Sequence, residues 1–106
     1  MSRTFKSALE DALKDPEFRE AYEALEPEYQ LRRALILLRQ RANLTQTQLA
    51  ERLGTHQEYI SRIEGGKTRL TLAYFAQLVH AMNADLEVSL QPKDGSEPIK
   101  TKVIVG

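Results

Sequence analysis

Residues 44–66 decide the fold, and they read Leu-Thr-Gln-Thr-Gln-Leu-Ala-Glu-Arg-Leu-Gly-Thr-His-Gln-Glu-Tyr-Ile-Ser-Arg-Ile-Glu-Gly-Gly. Thr45 can cap a first short helix, Gly54 can end it, and a second short helix is expected from about residue 56 to residue 63. Ala50 is small where the two helices must cross closely. We expect four apolar residues to hold the pair together: Leu49, Leu53, Ile60 and Ile63. This is the pattern of a helix-turn-helix.

The second helix of this pair is expected to face outward with Gln57, Glu58, Ser61 and Arg62. Amide, hydroxyl and guanidinium groups suit base edges and phosphates in a DNA major groove. Glu58 adds a negative charge there, so a direct contact by its carboxylate is restricted mainly to a cytosine amino group. The alternatives are a helical domain without DNA binding, or a module that binds only other proteins.

The flanking sequence predicts further helices and a short strand region. Apolar residues recur at helical spacing from residue 4 to residue 13, and Asp15-Pro16 begins a second helix. A third helix is expected after Pro27, ending near Asn43, and another after Thr71. Leu86 to Leu90 alternates as a strand does. The predicted fold is mainly α, with five or six helices and one or two C-terminal strands.

We expect three segments along the chain: an acidic helical arm over 1–28, the helix-turn-helix domain over 29–84 and a strand region over 85–106. The partner of the strand Leu86–Leu90 stays open. It is either Lys100–Val105, in a hairpin, or the same strand of a second copy across a dimer. Lys100–Val105 is either a second strand or a mobile tail.

The charges are unevenly distributed, although the formal net charge is zero. Residues 1–28 hold four bases and eight acids, a net of −4, and residues 29–70 hold eight bases and three acids, a net of +5. The remaining residues have three bases and four acids, a net of −1. This asymmetry favours an anion as the partner of the middle segment and a basic surface as the partner of the arm. The simpler interpretation is that both segments are solvated helix faces.

Composition argues against an enzyme and against a metal site. The 106 residues include no cysteine and only two histidines, His56 and His80, 24 positions apart, which is not a metal-ligand spacing. No nucleophile or phosphate-binding motif is found, so we expect no cofactor. No apolar run approaches the roughly 20 residues that span a bilayer, and the N-terminus does not read as an export signal. We therefore expect a cytoplasmic protein with no membrane partner.

The helix-turn-helix segment resembles the Cro/repressor-type (Xre) family over about residues 30–82. The matching residues are Leu44-Thr45-Gln46, Leu49-Ala50, Leu53-Gly54, Gln57, Ile60-Ser61-Arg62-Ile63-Glu64 and Gly66-Lys67. The resemblance implies that Gln46 touches phosphate, that Gln57 touches a base or phosphate, and that Arg39 and Glu64 form a structural ion pair. Leu70 departs from the family, which often has proline there.

The candidate DNA contacts extend into the turn before the second helix and the loop after it. Lys67, Thr68 and Arg69 are expected to grip the DNA backbone, or else to be ordinary solvated loop residues. His56 is either a DNA-proximal donor or a plain surface residue. The full set is Gln46, Thr55, His56, Gln57, Glu58, Tyr59, Ser61, Arg62, Lys67, Thr68 and Arg69.

The wider layout is similar to that of HigA-type antitoxins of type II toxin–antitoxin pairs. An acidic arm precedes Glu28-Tyr29-Gln30-Leu31-Arg32-Arg33-Ala34, and Leu86-Glu87-Val88-Ser89-Leu90 closes the domain. The resemblance implies a protein that silences a small, basic RelE/HigB-like ribonuclease toxin and, as a homodimer, represses its own operon by binding double-stranded operator DNA. Phe18, Tyr22 and Leu25 are candidates for toxin docking, or they pack on the repressor core. The alternative function is a stand-alone Xre-type regulator without a toxin.

Overall fold

Six helices and a two-stranded sheet form the described part of the chain, residues 5–23 and 26–105 of a computed structural model. The helices are α1 (Phe5–Ala12), α2 (Pro16–Glu23), α3 (Pro27–Arg41), α4 (Gln46–Leu53), α5 (Gln57–Glu64) and α6 (Leu72–Ala81). The strands are β1 (Leu86–Leu90) and β2 (Ile99–Val103). The predicted mainly helical fold with short C-terminal strands is confirmed. Leu25, one of the candidate toxin contacts, lies outside the described residues.

The ends of α4 follow from local chemistry. Thr45 Oγ1 accepts a hydrogen bond from the Gln48 backbone N–H at 3.0 Å, and Gln48 Oε1 accepts one from the Thr45 N–H at 2.9 Å. This reciprocal capping box satisfies two amides that a helix start otherwise leaves unpaired. Gly54 ends the helix in the left-handed conformation, with φ of 68°, which is the role predicted for it. Asn43, the residue predicted to follow α3, also has a positive φ, of 57°.

The core lies where α3, α4, α5 and α6 meet. Its most deeply buried side chains are Leu35, Leu49, Ile60, Ile63 and Leu78, each less than 2% exposed. Three of the four residues predicted to hold the helix-turn-helix together are therefore fully buried, and Leu53 packs against this core while remaining partly exposed. The core fixes the orientation of α5 against α4, so it also decides which side of α5 reaches solvent.

The two strands form an antiparallel hairpin within the chain. Leu86 lies opposite Val103 and Leu90 lies opposite Ile99. In the connecting turn, the Ser96 hydroxyl and N–H donate to the Asp94 carboxylate at 2.7 and 2.9 Å and lower the pKa of Asp94. Of the two partners left open for β1, the structure contains the intrachain one, and Lys100 belongs to a strand rather than a tail. In the part of the chain that the structure describes, no helix combines the length and apolarity needed to cross a membrane.

The burial pattern of the core predicts that two leucines of α6 contribute very differently to the free energy of unfolding. Leu78 is 0% exposed, whereas Leu72 is 55% exposed. We expect Leu78→Ala to lower the free energy of unfolding by about 3 kcal/mol, because it removes buried apolar contacts and leaves a cavity. Leu72→Ala should change it by less than about 0.5 kcal/mol. Urea unfolding followed by circular dichroism measures both, and equal losses would contradict the assignment of the core.

Candidate nucleic-acid interface

Helix α5 presents one polar side to solvent. Ile60 and Ile63 are buried, whereas Glu58, Ser61 and Arg62 are exposed. Residues three and four positions apart lie on one face of a helix, so these three form a continuous outward stripe. Three of the four side chains expected to face outward from α5 are thus accessible, and the apolar side of α5 is used by the core.

An ion pair connects α3 to the last turn of α5. Arg39 donates from Nε to Glu64 Oε2 at 2.7 Å and from its Nη2 nitrogen to Glu64 Oε1 at 3.0 Å. A third donor, Nη1, reaches the Leu44 carbonyl at 2.8 Å. The two side chains are 14% and 6% exposed. The ion pair anticipated between Arg39 and Glu64 is therefore present, in the bidentate geometry that gives arginine–carboxylate pairs their strength.

Two glutamines extend this ion pair to the start of α5. Gln46 Nε2 donates to Glu64 Oε1 at 3.0 Å, and Gln57 Nε2 donates to Gln46 Oε1 at 2.7 Å. Gln57 is half-buried as a result, and less outward-facing than its neighbours on α5. Its amide keeps one N–H and its carbonyl oxygen for another partner, because a carboxamide has two donors and one acceptor oxygen. The sequence pattern placed both glutamines near DNA but did not predict their contact with each other.

The loop after α5 carries free positive charge. Lys67 and Arg69 are exposed and Thr68 is half-buried. Across residues 5–23 and 26–105, no carboxylate lies within 4.0 Å of the charged groups of Arg62, Lys67 or Arg69. These three cations are therefore available to an anion, whereas the charge of Arg39 is neutralised by Glu64.

A residue that sequence reasoning did not single out, Arg32, lies against this loop. Gly66 has a left-handed φ of 74°, and a Cβ built there would lie 2.9 Å from a terminal nitrogen of the Arg32 guanidinium. Arg32 also pairs with Glu28 at 3.7 Å and lies over the Tyr29 ring at 5.9 Å. The sequence shows a glycine at position 66, where the second helix was expected to end, but only the folded chain shows which side chain packs beside it.

The turn residues before α5 differ in their surroundings. His56 is exposed at the N-cap of α5 and makes no side-chain capping bond, while Thr55 is half-buried. Tyr59 is half-buried, and its ring packs edge-on against Tyr74 with centroids 5.6 Å apart. Desolvation, with a smaller contribution from the charge of Tyr59, raises the pKa of Tyr74. Among the predicted contacts, Tyr59 thus packs against the edge of the core.

The N-terminal helices form an apolar groove against α3. Phe18 and Tyr22 stack with ring centroids 6.1 Å apart. They line a groove of about 570 Å³ together with Ala8, Leu9, Ala12, Ala21, Tyr29, Arg33 and Leu37. Phe18 is exposed, Tyr22 is half-buried, and neither belongs to the buried core. Among the described residues, no group of three or more His, Cys, Asp or Glu side chains is placed to hold a metal ion.

One comparison with known proteins gives a match. A family model described as a helix-turn-helix domain matches residues 30–89, which is more than half of the chain. The match begins within α3, includes α4, α5 and α6, and ends within β1. No curated protein and no solved structure was found to match.

The burial of the Glu64 carboxylate predicts a large loss of stability when glutamine replaces this glutamate. We expect Glu64→Gln to lower the free energy of unfolding by about 3 kcal/mol, because it leaves the Arg39 guanidinium buried without its counter-charge. The matched control is Glu51→Gln on the exposed side of α4, with an expected change below about 0.5 kcal/mol. Urea unfolding of both variants measures the difference, and a Glu64→Gln variant as stable as the control would contradict the role of the pair.

Proposed function

The chain belongs to the helix-turn-helix domain family, and on that basis we propose that it is a transcriptional repressor that binds double-stranded operator DNA as a homodimer. In this proposal α5 is the recognition helix and enters the major groove, while α4 crosses above it. Two copies read a palindrome whose half-sites lie about one helical turn, roughly 34 Å, apart. The proposed reaction is binding alone, without catalysis and without a cofactor.

The observation that carries the proposal is the polar side of α5, which consists of the outward stripe of Glu58, Ser61 and Arg62 and of Gln57 held in place beside it. Gln57 is held by Gln46 and keeps one donor and one acceptor, the combination with which a carboxamide binds adenine. Arg62 is exposed and has no ion partner in the described part of the chain, so it is available to pair with guanine. A side chain already fixed by hydrogen bonds loses less conformational entropy on binding. Ser61 and Glu58 complete the stripe, Glu58 being suited to a cytosine amino group.

The remaining predicted contacts are proposed to hold the phosphate backbone. Lys67 and Arg69 are exposed cations that follow α5 directly, and Gln46 retains one N–H beyond the bond it gives to Glu64. Phosphate contacts position a protein on the duplex without supplying sequence choice. Thr55, His56, Tyr59 and Thr68 are proposed as further contacts around the same groove.

Arg62→Ala tests the recognition helix. We expect it to weaken binding to the cognate operator by about 1–3 kcal/mol and to relax the preference at one base pair, because one base-reading side chain is lost. The matched control is Arg19→Ala, an exposed arginine of α2 outside the proposed interface. Fluorescence anisotropy with cognate and single-substituted duplexes measures both.

A phosphate contact should behave differently from a base contact in the same assay. Lys67→Ala is expected to weaken binding to all duplexes alike and to reduce the slope of log K against log salt concentration by about 1.

If Arg62→Ala binds cognate and scrambled duplexes as the parent does, α5 is not the recognition helix. If the parent chain binds no duplex even at low salt, the regulator proposal fails.

We further propose that the regulator is an antitoxin that neutralises a small, basic RelE/HigB-like ribonuclease. The support is the groove between α1, α2 and α3, which offers the stacked rings of Phe18 and Tyr22 to an apolar anchor of a partner. The arm that carries these rings also carries exposed acidic side chains, among them Glu10, Asp15, Glu17, Glu20 and Glu23. An acidic segment that bears an apolar anchor site steers a basic protein toward it. The alternative is a stand-alone regulator whose groove binds no toxin.

The toxin proposal is tested by co-expression with an adjacent reading frame that encodes a small basic protein. We expect the double variant Phe18→Ala, Tyr22→Ala to lower affinity for that protein about tenfold or more, because aromatic anchors dominate such interfaces. Its affinity for the operator should be unchanged. The control is Leu72→Ala, which removes an exposed apolar side chain elsewhere. A parent chain that captures no such protein, or a double variant that captures it normally, would contradict this part of the proposal.

A further inference from the structure

The C-terminal sheet has two open edges. Within residues 5–23 and 26–105, β1 and β2 pair only with each other, so each strand keeps an outer row of backbone N–H and C=O groups without a strand partner. A two-stranded hairpin is marginally stable by itself, and open edges readily pair with further strands.

One end of the apolar face of this sheet is uncovered. Alternate residues of a strand lie on one face, as do residues directly opposite each other in an antiparallel pair. Val88 therefore shares a face with the pairs Leu86–Val103 and Leu90–Ile99. Leu86 and Val103 are half-buried at the inner end of the hairpin. Leu90 and Ile99, at the outer end, are 59% and 65% exposed. The hairpin thus combines open edges with apolar side chains that have no cover.

The two edges carry different charges on their polar face. Strand β2 has Lys100 and Lys102, and β1 has Glu87 and Ser89. If β2 paired with β2 of a second copy about Thr101, each Lys100 would lie opposite a Lys102, which gives two like-charge contacts. Like charges directly opposite each other destabilise a sheet, and edge lysines discourage pairing. The β2 edge is therefore unsuited to self-association.

The β1 edge offers one antiparallel register in which a second copy pairs without a like-charge contact and without mixing the two faces. With Val88 on the two-fold axis, Glu87 lies opposite Ser89 and Leu86 lies opposite Leu90. Moving the axis to Glu87 brings the two Glu87 carboxylates together, and moving it to Ser89 brings Pro92, which lacks an N–H, opposite Leu86. The intermediate registers place polar residues opposite apolar ones and so mix the two faces.

We propose that β1 is the homotypic interface of this chain, pairing antiparallel with β1 of a second copy about Val88. The result is a continuous four-stranded sheet in the order β2, β1, β1, β2. The exposed Leu90 then lies beside Leu86 of the second copy, which extends the apolar face over its uncovered end. The β1 edge is then the contact surface in the homodimer of the proposed regulator. The inference rests on the proposed function only where it concerns operator binding.

A negative charge introduced at Ser89 should have opposite effects on the hairpin and on the dimer. In the hairpin Ser89 lies opposite Lys100, so Ser89→Glu adds a favourable cross-strand pair within the monomer. In the proposed dimer the same glutamate lies opposite Glu87 of the second copy, and the two-fold symmetry produces this like-charge contact twice. We expect the dimer Kd from analytical ultracentrifugation to rise by roughly 2- to 30-fold, with no loss of thermal stability in the monomer. An unchanged or lower Kd would overturn the proposal.

Cysteine cross-linking tests the register directly, because the chain has no cysteine of its own. In the proposed dimer the two residues 88 are neighbours on adjacent strands, so Val88→Cys should form a covalent dimer on mild oxidation. Thr101→Cys is the matched control, since Thr101 lies opposite Val88 in the hairpin. The two residues 101 are then about 14 Å apart, three strand spacings, which exceeds the reach of a disulfide.

The outcomes of the cross-linking are distinct. A link at 88 without one at 101 supports the proposal, whereas the reverse pattern assigns the dimer to β2 and overturns it. Monomers in both variants also overturn it. Binding to a duplex with one half-site reports the helix-turn-helix without requiring a dimer. A chain that cross-links at 88 but does not bind that duplex would therefore refute the regulator and leave the sheet interface intact.

Discussion

The carboxylate of Glu64 is the constraint on which the proposed DNA-binding face depends. It accepts from Arg39 of α3 and Gln46 of α4 while belonging to α5, and Gln46 in turn holds Gln57. The apolar core alone could bring these three helices together, because hydrophobic packing is non-directional. It could not select the rotamer of Gln57. The buried charge supplies that directional information, since an unpaired carboxylate or guanidinium in this position would be costly.

Features set by local chemistry could be predicted from the residues themselves, whereas features set by distant contacts could not. The distant pair of Arg39 and Glu64 was expected only through the family resemblance. The capping box at Thr45, the turn at Gly54 and the burial of Leu49 follow from neighbours a few residues away. The bond between Gln46 and Gln57 depends on how two helices pack, and the place of Arg32 beside Gly66 depends on a second helix far along the chain. The strand Leu86–Leu90 was predictable as a strand, but its partner was not, because alternation of apolar and polar residues suits a hairpin and a dimer equally.

Three surfaces with different chemistry can be distinguished in the described chain. The stripe of α5 with its following loop carries unneutralised positive charge. The groove lined by α1, α2 and α3 is mainly apolar and belongs to an acidic segment. The β1 edge offers backbone groups beside uncharged or acidic residues. The net charge of zero conceals this division because the acidic and basic residues belong to different segments. Each surface suits a different class of partner: a polyanion, a basic protein and a second copy of the chain.

The left-handed backbone at Gly66 has a consequence for how mutational scans of this chain should be read. Most other residues would lose about 1–2 kcal/mol at this positive φ. The guanidinium of Arg32 is the end of a flexible side chain, so it can move aside for a Cβ at much smaller cost. A substitution at position 66 is therefore expected to be unfavourable mainly because of the left-handed backbone that follows α5. In a saturation library, a preference for glycine at this position would therefore reflect backbone conformation and would not mark a contact with a nucleotide.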